Sequence, residues 1–263
     1  MVLELQEELM TYSVATMQGG RAYQEDRVYT HDFSDTIMRG SLLAVMDGHF
    51  GFEAADICAA RIPEIFSLKK PGCAKRSLHT LCRKLAEETK HCYSGTTLST
   101  VCILEHEDVA HFATIGDSPV VAIDASGHVW HSESHNVRVN MKERAAAVRR
   151  GGFYSSSGYM YADLQGAGVQ CTRVLGDWSL SRILSRKPSV FTVQSPRVIL
   201  LATDGLVDPA HEDDSLVEGL VTKLRSGADA HALLGWRITQ GPVDDNATAI
   251  VWRHKPCSYT IDN

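Results

Sequence analysis

Nowhere in the 263 residues is there a run of the roughly 18 to 20 consecutive apolar residues that a membrane helix requires. The first ten residues, M-V-L-E-L-Q-E-E-L-M, are acidic where a secretory signal is basic, so the expectation is a soluble, cytoplasmic protein with no membrane partner. No C-x-x-C pair occurs. The seven cysteines (Cys58, Cys73, Cys82, Cys92, Cys102, Cys171 and Cys257) are odd in number and scattered, which argues against a disulfide framework or a zinc site and for reduced, buried thiols. No basic patch offsets the formal charge of -6, so nucleic acid and anionic lipid are not expected as partners. Repeats, linkers and low-complexity tracts are also missing. With 44% apolar and 22% charged residues the composition is that of an ordinary globular protein, and one domain spanning 1–263 is the economical reading. Too few helical positions lack an inward face to suggest a dimer surface, so a monomer is expected.

What is present is a change of hydrophobic period along the chain. Residues 12–19 and 26–33 alternate as strands around the turn-like G-G-R-A-Y-Q-E, and 41–46 is a third, wholly apolar strand. Ala54, Ala55, Ile57, Cys58, Ile62, Ile65 and Phe66 then follow a helical period that K-K-P-G should break. Leu78, Leu81, Cys82 and Leu85 mark a second helix. From Gly95 to Ser132 short strands separated by turns read as an antiparallel meander, and helical pattern returns near 138–150. The Ser-, Gly- and Tyr-rich 153–170 reads as a mobile, irregular loop with one short hairpin. R-V-I-L-L-A-T (197–203) is a strand, E-D-D-S-L-V-E-G-L-V-T-K-L a helix with an acidic start that suits its dipole, and A-T-A-I-V-W (247–252) a last strand. Helices grouped between batches of strands indicate an α+β fold, with two antiparallel sheets and helices on their outer faces.

Several of these strands end on acid. L-L-A-V-M runs into Asp47-Gly48, H-F-A-T-I-G into Asp117, and V-I-L-L-A-T into Asp204-Gly205; Asp245-Asn246 precedes A-T-A-I-V-W, and Glu25-Asp26 precedes R-V-Y-T. One such aspartate is ordinary turn chemistry. Five strand ends on one edge would crowd carboxylates together, which Coulomb repulsion opposes unless cations lie between them. Ligation by oxygen alone selects hard divalent ions, Mg2+ or Mn2+. Two such ions can activate a water and hold a phosphoryl group for attack, which points to metal-assisted phosphoester hydrolysis.

The ordered set G-G-R-A-Y-Q-E-D (19–26), D-G-H-F-G (47–51), S-G-T-T (94–97), G-D-S (116–118), E-R-A-A-A-V-R-R-G-G (143–152), T-R-V-L-G-D (172–177), T-D-G-L-V-D (203–208) and D-N-A-T-A-I-V (245–251) resembles the motif series of the metal-dependent protein phosphatases, the PPM or type 2C family. Each motif alone is weak; their order over residues 12–253 is specific. The resemblance implies a four-layer α-β-β-α sandwich, a binuclear Mg2+/Mn2+ centre, and hydrolysis of phosphoserine and phosphothreonine in phosphorylated protein substrates. By that resemblance Asp47 bridges the metals, with the Gly48 carbonyl and Glu25 completing one shell and Asp204 and Asp245 holding the other ion. Asp26 acts through metal-bound water, and Asp117 with Asp204 supports a weaker third ion. Arg21 grips the phosphate, and His49 is the general acid for the leaving oxygen. Without its motif His49 would not stand out among twelve histidines.

The pattern departs from the family at Phe50, where glycine is common, at Ser134-His135, where Asp-His is frequent, and at Pro119, where arginine is common. The 176–204 segment is short, and Tyr154, Tyr159, Tyr161 and Trp178 are candidate peptide contacts or loop-packing groups. Two rival functions remain in view: a catalytically weak regulatory module that binds phosphoproteins or a kinase, and a metal-dependent phosphodiesterase or nuclease, which the acidic charge and missing basic track disfavour.

Overall fold

The computed structural model describes residues 11–34, 38–68, 70, 72–163, 165–208, 210–211 and 214–254. The acidic first ten residues, Pro71 of the expected helix break, the helix start Glu212-Asp213 and Cys257 lie outside them. In chain order the elements begin with β1 (Thr11–Met17), β2 (Arg27–Ser34), β3 (Arg39–Met46) and the two-residue β4 (Gly48–His49). Helices α1 (Glu53–Ile65) and α2 (Ala74–Glu88) follow, then β5 (Gly95–Thr96), β6 (Leu98–Leu104), β7 (Val109–Ile115), β8 (Val120–Asp124) and β9 (Val129–His131). After α3 (Met141–Arg149) come β10 (Phe153–Tyr154), β11 (Met160–Tyr161), β12 (Gly168–Val169) and β13 (Leu175–Gly176). The chain closes with β14 (Ser189–Gln194), β15 (Pro196–Ala202), α4 (Asp214–Arg225), α5 (Ala230–Thr239) and β16 (Ala247–Arg253).

Two five-stranded antiparallel sheets, ordered β1-β16-β15-β8-β9 and β14-β7-β6-β3-β2, stack face to face. Strand β3 explains why its sequence is apolar without alternation. Leu43 and Val45 point into the layer between the sheets, with Phe112, Leu201 and Trp252, while Leu42, Ala44 and Met46 point outward onto α1 and α2. In β15, Ile199 and Leu201 face the other sheet while Leu200 and Ala202 face α4 and α5. A strand buried on both faces needs apolar side chains at both parities, and each Leu-sized side chain so buried contributes about 1.5–3 kcal/mol. The α+β four-layer sandwich is thus what the residues build. No described helix is long and apolar enough to cross a membrane.

The expected meander over 95–132 is corrected. β6 and β7 pair in one sheet, but β8 crosses to the other and pairs with β15. Gly116, at φ +111°, opens the crossing. Val120 and Ala122 of β8 face the inter-sheet layer, and Val121 and Ile123 the α4/α5 layer. Continuing the first sheet would have given that second row no helix to pack on. The 153–170 segment is also more regular than one hairpin. It forms the three-stranded sheet β10-β11-β12, with a small apolar cluster of its own around Val137, Ala147, Met160 and Ile183. The edge strand β14 and helix α5, to which the sequence pattern assigned no residues, complete the layers.

Candidate functional site

Antiparallel pairing decides where the acidic strand ends go. Arg27 pairs with Met46, so Asp26 and Asp47 leave β2 and β3 at the same end. Leu98 pairs with Ile115, which places Asp117 there. In the facing sheet Ala202 pairs with Ala249, and Met17 with Ala247, so Asp204 and Asp245 emerge at one end with the loop that carries Arg21. A cavity of about 420 Å³ opens between these ends, lined by Arg21, Asp47, Gly48, His49, Asp117, Asp204 and Asp245 among others. Of the expected metal-binding and catalytic residues all but Glu25 and Asp26 line it; of the candidate peptide contacts Tyr159 lines it, and Tyr154, Tyr161 and Trp178 do not.

Asp26 is buried, and Glu25 is half-buried with its backbone against the lining residue Gly48. Glu25 Oε1 accepts the Gly51 N–H at 2.7 Å, and the Glu25 N–H donates to Asn246 Oδ1 at 2.8 Å. Asp26 Oδ2 accepts the hydroxyls of Thr203 (2.9 Å) and Thr248 (2.7 Å), while its buried Oδ1 has no partner. Burial outweighs those hydroxyls and pushes the Asp26 carboxyl up to about 6. Burial, then the Asp204 charge, raises Asp47 well above the usual carboxylate range. Asp204 is raised likewise by burial and by the charges of Asp117, Asp208 and Asp245. Burial also raises Asp117, against the pull of the Asn136 amide that donates to its Oδ2 at 2.9 Å. Asp245 meets Arg21 at 2.5 Å.

Among the described residues no three Asp, Glu, His or Cys side chains close on one point as a ready ligand shell. The donor set nevertheless fits hard cations. Buried carboxylates that raise one another's pKa, and an orphaned Asp26 oxygen, are relieved by positive charge and by little else.

His49 Nε2 lies 2.7 Å from Asp177 Oδ2, and Asp177 is only 1% exposed. The pair is possible because residue 95 is glycine: a Cβ there would lie 2.3 Å from His49 Nε2 and 2.6 Å from the Asp177 carboxylate. Phe50 follows with φ +57°, in the left-handed region, with its ring 47% exposed. Sequence reasoning missed Asp177, Asn136, Asp208, Thr97 and Asn246. Thr97 Oγ1 accepts the Asp47 N–H at 3.0 Å, and the Asn246 amide donates to the carbonyls of Gln18 (2.8 Å) and Tyr23 (3.0 Å), pinning the Arg21 loop. All but Asn136 sit inside the quoted motifs; the signal was present, but nothing in it said what each side chain touches. His135 Nδ1 accepts the Gly116 N–H at 3.0 Å, so its proton sits on Nε2, 3.0 Å from Ser189 Oγ.

A helix-flanked antiparallel sandwich with a carboxylate-lined cavity at the ends of its strands is the architecture of the PPM phosphatases. Residues 10–230 match the family model described as protein phosphatase 2C, and the chain belongs to that family. It is 26% identical over 233 residues to protein phosphatase 1L of Bos taurus, covering 80% of this chain and 63% of that protein. It is 27% identical over 217 residues to protein phosphatase fem-2 of Caenorhabditis elegans, covering 75% and 47%. The chain therefore spans about half to two-thirds of the length of these curated relatives. A serine-threonine phosphatase 2C from Toxoplasma gondii superposes with a TM-score of 0.70 at 19% identity, covering 94% of this chain and 95% of that one. At that identity the likeness speaks for the fold.

Proposed function

We propose that residues 1–263 form one catalytic domain, a cytoplasmic monomer that removes phosphate from phosphoserine and phosphothreonine in proteins. The observation that carries this reading is the meeting of Asp47, Asp117, Asp204 and Asp245 with Arg21 and His49 around one cavity. Two Mg2+ or Mn2+ ions, when bound, would supply Lewis acidity to ionise a water and neutralise phosphoryl oxygens. Asp47, the Gly48 carbonyl and Glu25 would hold one ion; Asp204 and Asp245, with Asp47 shared, would hold the other. Asp117 with Asp204 would serve a third, and Asp26 would act through ordered water. Arg21 has more donors than Asp245 can use, and its 53% exposed side chain is free to grip a phosphoryl oxygen as well. His49 would give a proton to the seryl or threonyl oxygen as the P–O bond breaks; Asp177 holds Nε2, which leaves Nδ1 for that transfer.

Retention of these carboxylates counts against a catalytically weak regulatory module, and the acidic charge against a diesterase. The test is phosphate release from a phosphothreonine peptide and from a phosphodiester in EDTA, Mg2+ or Mn2+. Metal-dependent turnover of the monoester is expected, lowered by orders of magnitude in Asp204→Asn. Equal activity of parent and variant removes Asp204 from the mechanism, and turnover of the diester alone refutes the reading.

A further inference from the structure

The cavity mouth carries an aromatic surface that the proposed chemistry does not use. Phe50 lines the cavity, and its ring meets His49 edge-on with centroids 5.3 Å apart. Tyr93 stands 6.5 Å from Phe50. The two rings are 47% and 57% exposed. Trp178, 54% exposed, is anchored at the same corner by its backbone N–H, which donates to the carbonyl of Cys92 at 3.0 Å. Packing does not account for this surface, since the large rings that fill the core, Trp252 and Phe112, are almost wholly buried. Folding does not account for Phe50 either. At φ +57° its backbone occupies a region that a bulky side chain enters only under strain, and strained positions cluster at functional sites.

We propose that Phe50 and Tyr93 form an apolar platform that selects phosphopeptides bearing a bulky apolar residue next to the phosphorylated serine or threonine. The proposal rests on the phosphatase reading and names the substrate class of that site. It follows from reach. A leaving oxygen hydrogen-bonded to His49 lies two bonds from the Cα of the phosphorylated residue, and the next Cα is about 3.8 Å further on. With centroids 5.3 Å apart, His49 and Phe50 are close enough for a flanking side chain to reach Phe50, whose ring has Tyr93 as its other neighbour at 6.5 Å. Neither ring is hydrogen-bonded into the site, so the platform offers dispersion and burial of apolar area, and a glycine or glutamate there would leave it wet.

The test uses the full chain with Mn2+ and phosphothreonine peptides that differ only in the residue before or after phosphothreonine: leucine, phenylalanine, glycine or glutamate. kcat/KM is measured for the parent, Phe50→Gly, Phe50→Leu and Tyr93→Ser, with p-nitrophenyl phosphate alongside. The parent is expected to prefer leucine or phenylalanine over glycine by about tenfold at one of the two flanks, mostly through KM. Phe50→Gly should reduce that preference to about twofold, and Phe50→Leu should keep most of it. A flat profile in the parent, a preference that survives both Phe50→Gly and Tyr93→Ser, or equal losses on all peptides in both variants overturns the platform while leaving the phosphatase standing. Failure of the parent to hydrolyse any phosphopeptide or p-nitrophenyl phosphate overturns both.

Discussion

Truncating a phenylalanine to glycine normally damages a protein, and at position 50 it is expected to be nearly neutral for stability. A left-handed backbone at φ +57° costs a non-glycine residue about 1–2 kcal/mol, which Phe50→Gly relieves. Against that, glycine adds freedom to the unfolded chain worth about 0.5–1 kcal/mol. Full burial of a phenylalanine contributes about 1.5–3 kcal/mol, so a ring left 47% exposed forfeits about half, near 1 kcal/mol. The sum lies within about 1 kcal/mol of zero, far from the 3–5 kcal/mol of a buried Phe→Ala truncation. Phe50→Ala isolates the backbone effect, because it removes the ring but keeps a Cβ in the left-handed region. The alanine variant should be the less stable of the two by about 1 kcal/mol. Urea unfolding in EDTA, compared through midpoints at constant m, measures both. A glycine variant less stable than the alanine variant, or one that loses several kcal/mol, would make Phe50 a packing residue and refute the argument.

Two further outcomes are expected. Asp177→Asn replaces a charge-assisted contact to His49 with a neutral one, a difference of about 1–2 kcal/mol, so turnover of a phosphothreonine peptide should fall about tenfold. p-Nitrophenyl phosphate, whose leaving group needs no proton, should be spared, and equal losses on both would deny Asp177 a part in orienting the acid. His135, buried beside the Arg173 charge, is held down from 6.5 to about 4, so it stays neutral in the fold at pH 5 while the unfolded chain takes up its proton. Its contribution to stability is complete above pH 6.5 and is lost as pH falls towards 4, about 3 kcal/mol in all. The raised carboxyls of the cavity pull the other way. The difference between parent and His135→Asn in urea unfolding over pH 7 to 4.5, in EDTA, isolates the histidine; parallel pH profiles would show that it is not a buried neutral base.

Much of the fold was legible in the chain. The two-sided apolar runs of β3, β15 and β16 announced strands covered on both faces, and the spacing of Leu78, Leu81, Cys82 and Leu85 announced α2. What misled was partner choice. Nothing local in P-V-V-A-I-D tells whether β8 extends the sheet of β7 or crosses to pair with β15; the decision rests on which layer can cover both of its faces. Edge strand β14 escaped notice because only Val193 of its six residues is buried, so burial leaves little pattern there to read.

The site divides along the same line. Amino-acid order alone set the kinds of groups available: carboxylates at strand ends, an arginine and a histidine in glycine-rich turns, few soft ligands beside them. Those features are local, written in residue type and short spacing. Only the packed sandwich decided that Arg21 meets Asp245 across 224 residues and His49 meets Asp177 across 128, that Asp26 is buried without lining the cavity, and that Phe50 turns an exposed ring towards the mouth. Such contacts come from closing long loops between two sheets whose alignment is set by burial of their shared core, and no window of sequence contains that sum.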